Sequence, residues 1–186
     1  MTNDCLIRHA SAVLTGLPGE HARLHTSHGD VRVRQGKIHA TGALEPEPGE
    51  GVYDASNCVL APGWVNTHHH LFQNFLKGVP AGPSARLADW LAAVPVRHRQ
   101  AFDYEAVFRL AVRVGLTELL LSGCTTVADH QHHCYCGMPF DATAVVFDEA
   151  EKLGMHTGRD AQEVQRMLCS AQARGTGAQG HRVGEI

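Results

Sequence analysis

The chain has 186 residues, of which 44% are hydrophobic and 19% charged, a balance that excludes a disordered or collagen-like chain and predicts a buried core. Its 16 basic and 19 acidic side chains give a formal net charge of -3, so a broad basic surface for nucleic acid is not expected. The sequence has no apolar run of the roughly 20 residues that cross a bilayer and no signal-peptide pattern at its start, so we expect a cytoplasmic protein without a membrane partner.

The first 60 residues are predicted to form β structure. Residues 5–13 are an extended apolar stretch. Residues 30–33 and 37–40 alternate in polarity on either side of a Gln35-Gly36 turn, which is typical of a hairpin. Residues 57–60 predict a further short strand. This part of the chain therefore reads as a small β domain.

A short strand that ends in histidines comes next. Residues 64–67 are β-prone and follow a Pro-Gly pair. About thirty residues rich in proline and glycine come after the histidines, with a short helix predicted near residues 86–94. A loop of that length inside a compact domain is uncommon unless it is functional. Its length therefore indicates a functional role.

Two helices and another strand are predicted further along the chain. Asp103 is predicted to cap a helix that stops at Gly123, and residues 124–128 form the next strand. Asp141 is predicted to cap a second helix that runs to Leu153. Strands that alternate with helices are typical of a parallel sheet.

The alternation is not continued after residue 155. A third strand is due there, yet residues 156–160 are polar and the chain to residue 186 has no sustained period. We therefore predict three parts: a β domain over residues 1–60, a strand-helix part over residues 61–154, and an off-pattern tail over residues 155–186. Disorder or a shifted reading frame would explain such a tail.

The strongest chemical signal lies among the 14 histidines, in the segment Asn66-Thr67-His68-His69-His70. Alternate residues of a strand point to the same face. If the strand runs through His70, His68 and His70 therefore point together and His69 points away. Two imidazoles in that arrangement can bind one divalent ion such as Zn²⁺. The alternative from spacing alone is a polar loop whose histidines bind nothing.

The segment from Ala61 to His70, Ala-Pro-Gly-Trp-Val-Asn-Thr-His-His-His, resembles the first barrel strand of the amidohydrolase superfamily. Residues 29–38 are similar to that family's amino-terminal β-sandwich hairpin, and residues 122–130 to its second barrel strand. The resemblance implies an α/β fold with part of a β-sandwich followed by the first part of a metal-dependent (β/α)₈ TIM barrel. A complete barrel takes roughly 250 residues, so this resemblance implies an apparently truncated barrel that is inactive alone.

Finer motifs are similar to those of 8-oxoguanine deaminase and related purine, pterin and hydroxytriazine aminohydrolases. They are the residues from His68 to Gln73, the Gly-Val-Pro at residues 78–80, and the Asp129-His130 pair. The resemblance implies a hydrolytic deaminase of a small heterocycle with one divalent metal ion, Zn or alternatively Fe. His68 and His70 would be metal ligands.

By the same resemblance, Gln73 and His130 would contact the substrate. The remaining ligands and the acid-base residue are expected beyond the end of this chain, so no catalytic residue is assigned. The resemblance leaves homo-oligomerisation of a full-length enzyme open.

Several alternatives stay open. His132, His133, Cys134 and Cys136 could form a structural zinc site, although a solvated loop is the favoured interpretation. One rival function is another superfamily hydrolase acting on a cyclic amide or a triazine, because fold does not fix function. A rival of another class is a non-catalytic, histidine-rich metal-binding protein.

Overall fold

The computed structural model describes residues 4–18, 24–80, 82–133, 135 and 137–157. The chain divides into two compact units, Met1–Pro62 and Gly63–Ile186. None of the helices in the described part of the chain is both long and apolar enough to span a lipid bilayer.

The first unit is a five-stranded mixed sheet with strand order β3-β2-β1-β4, in which β5 also pairs with β1. Its strands are β1 (Cys5–Pro18), β2 (Leu24–Arg34), β3 (Lys37–Gly42), β4 (Gly51–Asp54) and β5 (Val59–Leu60). β1 is antiparallel to β2, β2 is antiparallel to β3, and β4 and β5 run parallel to β1. The predicted hairpin is therefore present as β2 and β3.

Strand β4 was absent from the sequence-based prediction. It pairs with β1 from Cys5 opposite Gly51 to Arg8 opposite Asp54. Its sequence, Gly-Val-Tyr-Asp, does not alternate between apolar and polar residues, and all four residues are exposed, so no buried face marks it as a strand. The strands described in this unit form a single sheet, so the β-sandwich remains a prediction.

The second unit is built on a parallel three-stranded sheet with order β6-β7-β8. The strands are β6 (Trp64–His69), β7 (Cys124–Asp129) and β8 (His156–Thr157), and the helices are α1 (Leu87–Leu91), α2 (Glu105–Leu121) and α3 (Ala142–Leu153). Short helical turns cover Leu71–Leu76, Ala92–Val96 and Arg99–Asp103. Three parallel strands with intervening helices fit the start of a barrel, and the complete (β/α)₈ barrel remains a prediction.

Helix α2 packs through one apolar stripe. Its buried residues are spaced by three and four positions, the spacing of one helical face: Phe108, Ala111, Val112, Gly115 and Leu116. Asp103 does not cap this helix, contrary to the prediction, because it lies within the preceding helical turn and Tyr104 is the N-cap. Gly123, with a φ of 82°, follows the helix end as predicted.

Helix α3 begins as the sequence predicts. The Asp141 carboxylate accepts a hydrogen bond from the backbone N–H of Ala144 at 3.0 Å, and the helix ends at Leu153 before a left-handed Gly154. Helices α2 and α3 are joined by the fully buried carboxylate of Glu149. It accepts hydrogen bonds from Arg109 at 2.7 Å and from Arg113 at 2.6 Å.

Strand β8 corrects the expectation for the segment after residue 155. His156 lies opposite Thr126 and Thr157 opposite Val127, so a short third parallel strand forms despite its polar sequence. A polar sequence can form this strand because its hydrogen bonds come from backbone pairing with β7. His156, one of its two residues, is exposed. The rest of the predicted tail, residues 158–186, lies outside the described residues.

Candidate active site

The candidate site lies where β6 and β7 end. These strands are parallel neighbours, with His69 opposite Asp129 in their register. The backbone N–H of His130 donates to the carbonyl oxygen of His69 at 2.7 Å. Carboxyl ends of parallel strands meet at one edge of a sheet, which is where (β/α)₈ enzymes place their active sites.

Four imidazoles gather at this edge. The ring centroids of His68 and His130 are 4.0 Å apart, those of His68 and His70 are 5.0 Å apart, and those of His70 and His132 are 5.0 Å apart. The structure thus brings together His68, His70 and His130, three residues that the sequence singled out. Across the described residues, no group of three or more His, Cys, Asp or Glu side chains is arranged to hold a metal ion. A complete set of metal ligands would therefore need donor atoms besides those of His68 and His70.

One hydrogen bond determines which ring nitrogen of His70 is available. Nδ1 of His70 lies 2.8 Å from the carbonyl oxygen of His130. A carbonyl oxygen only accepts, so Nδ1 carries the proton and Nε2 keeps its lone pair in the neutral ring. Histidine ligands of metals commonly donate their second ring N–H to such an acceptor. This donor arrangement fits a metal ligand.

The surroundings favour neutral imidazoles. The His130 ring, followed by burial and by His70, lowers the pKa of His68. Burial lowers the pKa of His70, and the hydrogen bond to the His130 carbonyl partly opposes this change. A neutral imidazole is the form that binds a metal ion, so both rings keep a free lone pair to lower pH than an isolated histidine would.

The environment of His69 includes both a neighbouring histidine and an ion pair at α2. Burial is the largest cause that lowers the pKa of His69, followed by the charge of His70, while the charges of Lys77 and of Glu118 on α2 act on its ring in opposite directions. Lys77 and Glu118 form an ion pair with each other. The ring contacts of the imidazole cluster join His68, His70, His130 and His132, while His69 lines the same cavity as His68 and His70.

Strand β6 ends at His69, one residue earlier than the sequence interpretation required. His70 instead precedes the helical turn Leu71–Leu76, whose Leu71, Phe72 and Leu76 are buried in the core. The turn is anchored by Asp129, which accepts a hydrogen bond from the backbone N–H of Leu71 at 2.8 Å. Burial raises the pKa of Asp129 to about 7, and the Leu71 hydrogen bond acts in the opposite direction.

A glycine of α2 allows this turn to approach closely. A Cβ atom on Gly115 would lie 3.0 Å from the carbonyl oxygen of Leu71 and nearer still to the Asn74 amide nitrogen. The Asn74 amide also donates to the Leu71 carbonyl at 2.8 Å. The absence of a side chain at Gly115 therefore lets α2 support the backbone that follows His70.

A cavity of about 460 Å³ opens beside the histidines. Its lining residues include His68, His69, His70, Gln73 and Trp90. Its volume lies in the range of small-molecule sites. The amide nitrogen of Gln73 is 3.3 Å from Nε2 of His132. Gln73 thus lies next to His68 and His70, and a ligand in this cavity could contact Gln73 and these two histidines together.

The loop after β7 differs in part from its predicted solvated state. The His133 side chain is 1% exposed and lies among the rings of Phe72, Phe102 and Phe108, with the Asp103 carboxylate 3.3 Å from its Nε2. His132 is exposed but contacts the site. Cys134 and Cys136 lie outside the described residues, as does any zinc site that would include them.

Comparisons with known proteins identify the family of the chain. A model of the amidohydrolase family matches residues 59–170, which is more than half of the chain. The chain belongs to the amidohydrolase family. The resemblance recognised from the His68 to His70 motif is therefore confirmed at family level.

Two curated relatives of the chain are deaminases. It is 56% identical over 151 residues to an isoxanthopterin deaminase from an unknown prokaryotic organism, a match covering 81% of this chain and 31% of that protein. It is 37% identical over 131 residues to the 8-oxoguanine deaminase of Pseudomonas aeruginosa, covering 68% of this chain and 28% of the relative. The chain thus spans about a third of the length of these relatives.

A solved structure supports the fold. The atrazine chlorohydrolase of Arthrobacter aurescens TC1, crystallised with zinc, is 25% identical and superposes with a TM-score of 0.68, over 82% of this chain and 34% of that one. The fold of the described units is thus that of the amidohydrolases, with a mixed sheet followed by parallel strands and helices.

Three residues of this site were not assigned to it from the sequence. His132 was attributed to a loop, while Asp129 and Gly115 were attributed to a strand end and a helix. Asp129 and His132 depend on contacts with residues 58 and 59 positions away, which a local pattern does not encode. The local signals were the Asp129-His130 pair at a strand end and, for His132, the cluster of histidines and cysteines that follows it.

Proposed function

We propose that these residues form the first part of the active site of a metal-dependent aminohydrolase that acts on a purine-like or pterin-like heterocycle. In this proposal residues 1–60 belong to a β-sandwich and residues 61–154 to the start of a (β/α)₈ barrel. The observation that carries the proposal is the pair His68 and His70 at a strand end, with the His70 Nδ1 proton held by the His130 carbonyl. Deaminase activity in both named relatives supports the reaction class.

His68 and His70 would hold a divalent ion, with zinc favoured by the zinc-containing structure described above. A bound divalent ion would supply the activation of water for attack on the ring carbon that bears the amino group. The His130 carbonyl keeps the proton of His70 on Nδ1. The lone pair of Nε2 is therefore free to bind the metal ion. Asp129 fixes the backbone on the other side of His70 through Leu71.

In this proposal, residues of this chain orient the substrate. Gln73 lines the cavity beside His70, and an amide can both donate to and accept from the edge of a heterocycle. We propose Gln73 and His130 as substrate contacts, as the sequence resemblance implies. A small heterocycle is the expected partner. The free thiols of Cys5, Cys58 and Cys124 fit the reducing cytoplasm that we propose as its location.

A chimera tests this proposal. The matching segment of the isoxanthopterin deaminase is replaced by this chain's residues, and ammonia release from isoxanthopterin and 8-oxoguanine is measured beside the unmodified relative. We expect zinc-dependent ammonia release from at least one of them. An inactive, folded chimera that binds zinc while the relative is active would contradict the proposal.

A triazine hydrolase is the second candidate, favoured by the likeness to the atrazine chlorohydrolase. The same chimera distinguishes the two functions, because a triazine hydrolase of that kind would release chloride from atrazine and no ammonia from the pterin. A non-catalytic metal-binding protein would instead bind several ions and release neither product.

A further inference from the structure

One carbonyl oxygen sets the tautomers of two histidines. The carbonyl oxygen of His130 lies 2.8 Å from Nδ1 of His70 and 3.3 Å from Nδ1 of His132. Since a carbonyl oxygen can only accept, both Nδ1 atoms carry a proton. In neutral rings, Nε2 of His70 and Nε2 of His132 are then both acceptors.

The lone pair of His132 has a partner. Its Nε2 lies 3.3 Å from the side-chain nitrogen of Gln73. The amide NH₂ group donates and the amide oxygen accepts, so this contact requires the NH₂ group of Gln73 to face His132. The carbonyl oxygen of Gln73 is then the atom left to accept from a ligand.

Packing holds the His132 ring in place. Its centroid lies 5.0 Å from that of His70 at an interplanar angle of 83°, and 5.1 Å from that of Phe72 at 63°. Phe72 is buried in the core of the unit. The exposed His132 is therefore supported from two sides, and its Nε2 has a defined direction.

We propose that His132 is a positioning residue that orients the Gln73 amide, so that Gln73 presents its carbonyl oxygen to the heterocycle and selects an N–H donor at that edge. The identity of the ligand rests on the proposed function. Purine and pterin lactams carry such a ring N–H, and a methyl group on that nitrogen removes the donor. A site built to accept a hydrogen bond discriminates against an analogue that lacks it, since a buried polar group is left unpaired.

Kinetics of the chimera test the consequence for specificity. We expect His132→Phe to raise KM for isoxanthopterin about tenfold with kcat and zinc content little changed, and to reduce the preference over the N-methylated pterin. His132→Gln, whose side-chain oxygen can still accept from Gln73, should restore part of that preference. Equal losses on the parent and methylated compounds in His132→Phe would overturn the proposal.

The tautomer of His132 tests the orientation independently of any activity. The 186-residue chain is labelled with ¹⁵N in its histidine rings, and long-range ¹H–¹⁵N spectra at pH 8 are assigned with the His132→Phe variant. We expect the Nδ1–H tautomer at His132, with an Nε2 shift that changes in Gln73→Leu. An Nε2–H tautomer would reverse the amide and overturn the proposal. A chimera without ammonia release would count against the proposed function, while the tautomer still decides the role of His132.

Discussion

Nδ1 of His70 donates to the carbonyl oxygen of His130 at 2.8 Å, across the junction between the ends of two parallel strands. This bond joins a residue after β6 to a residue after β7, 60 positions apart in sequence. It orients the His70 ring and frees its Nε2. This hydrogen bond thus joins the His68 to His70 motif at the end of β6 to the end of β7, so that the site includes both strands.

The first prediction concerns metal binding. We expect His68→Ala and His70→Ala in the chimera each to weaken zinc binding at least about 100-fold, because losing a ligand should exceed the 10–100-fold cost of losing an outer-shell partner. His69→Ala is the matched control, because the ring contacts of the cluster are made by His68 and His70 and the expected alternation turns the His69 side chain away from them. Zinc content after dialysis is the measurement. Equal loss from all three folded variants would contradict the assignment.

Features with a local sequence cause could be predicted. The cap at Asp141 depends on residues three positions apart, and His68 and His70 are only two positions apart. Strand alternation predicted that these two rings lie close together, although strand β6 ends at His69. Features whose cause is distant could not. Strands β4 and β8 exist because β1 and β7 offer them a partner, and Asp103 contacts His133 rather than capping α2.

The second prediction concerns the carboxyl group of Asp129, which accepts from the backbone N–H of Leu71. Asp129→Ala leaves that buried N–H unpaired, so we expect a loss of about 1–3 kcal/mol in the free energy of unfolding at pH 6. Asp129→Asn keeps an acceptor oxygen and should lose much less. Denaturant unfolding of both variants is the measurement, and equal losses would refute the anchoring role.

The third prediction concerns the close approach at Gly115. A methyl group there must displace the Asn74 side chain and would lie 3.0 Å from the Leu71 carbonyl oxygen, at a cost of about 1–3 kcal/mol. We expect this cost to exceed the gain of roughly 1 kcal/mol in helix propensity. Thr117→Ala, on the exposed side of α2, is the control and should change stability by less than about 0.5 kcal/mol. A Gly115→Ala variant more stable than the control would contradict the packing described here.

The fourth prediction concerns pH and the Glu149 carboxylate between α2 and α3. The hydrogen bond from Arg113 is the largest cause that lowers the pKa of Glu149 to about 2. A lowered pKa stabilises the fold above the ordinary value of about 4.5, and this contribution is lost as pH falls through about 2. Glu149→Gln should therefore be less stable than wild type at pH 7 by about 2 kcal/mol, with the difference shrinking below pH 4.5.

Glu105→Gln serves as its control. Glu105 pairs with the same Arg109 at 2.7 Å but is 50% exposed, so its loss should cost under about 1 kcal/mol. Unfolding curves recorded from pH 2 to pH 7 compare the variants. A stability difference for Glu149→Gln that stays constant over this range would contradict the assigned ionisation.

Ammonia release from isoxanthopterin by the zinc-loaded chimera tests the central claim most directly, when wild type, His69→Ala and His70→Ala are compared at equal protein concentration. We expect wild type and His69→Ala to release ammonia, and His70→Ala to be inactive although folded. Ammonia release by His70→Ala at the wild-type rate would contradict the claim that His68 and His70 hold the metal on which turnover depends.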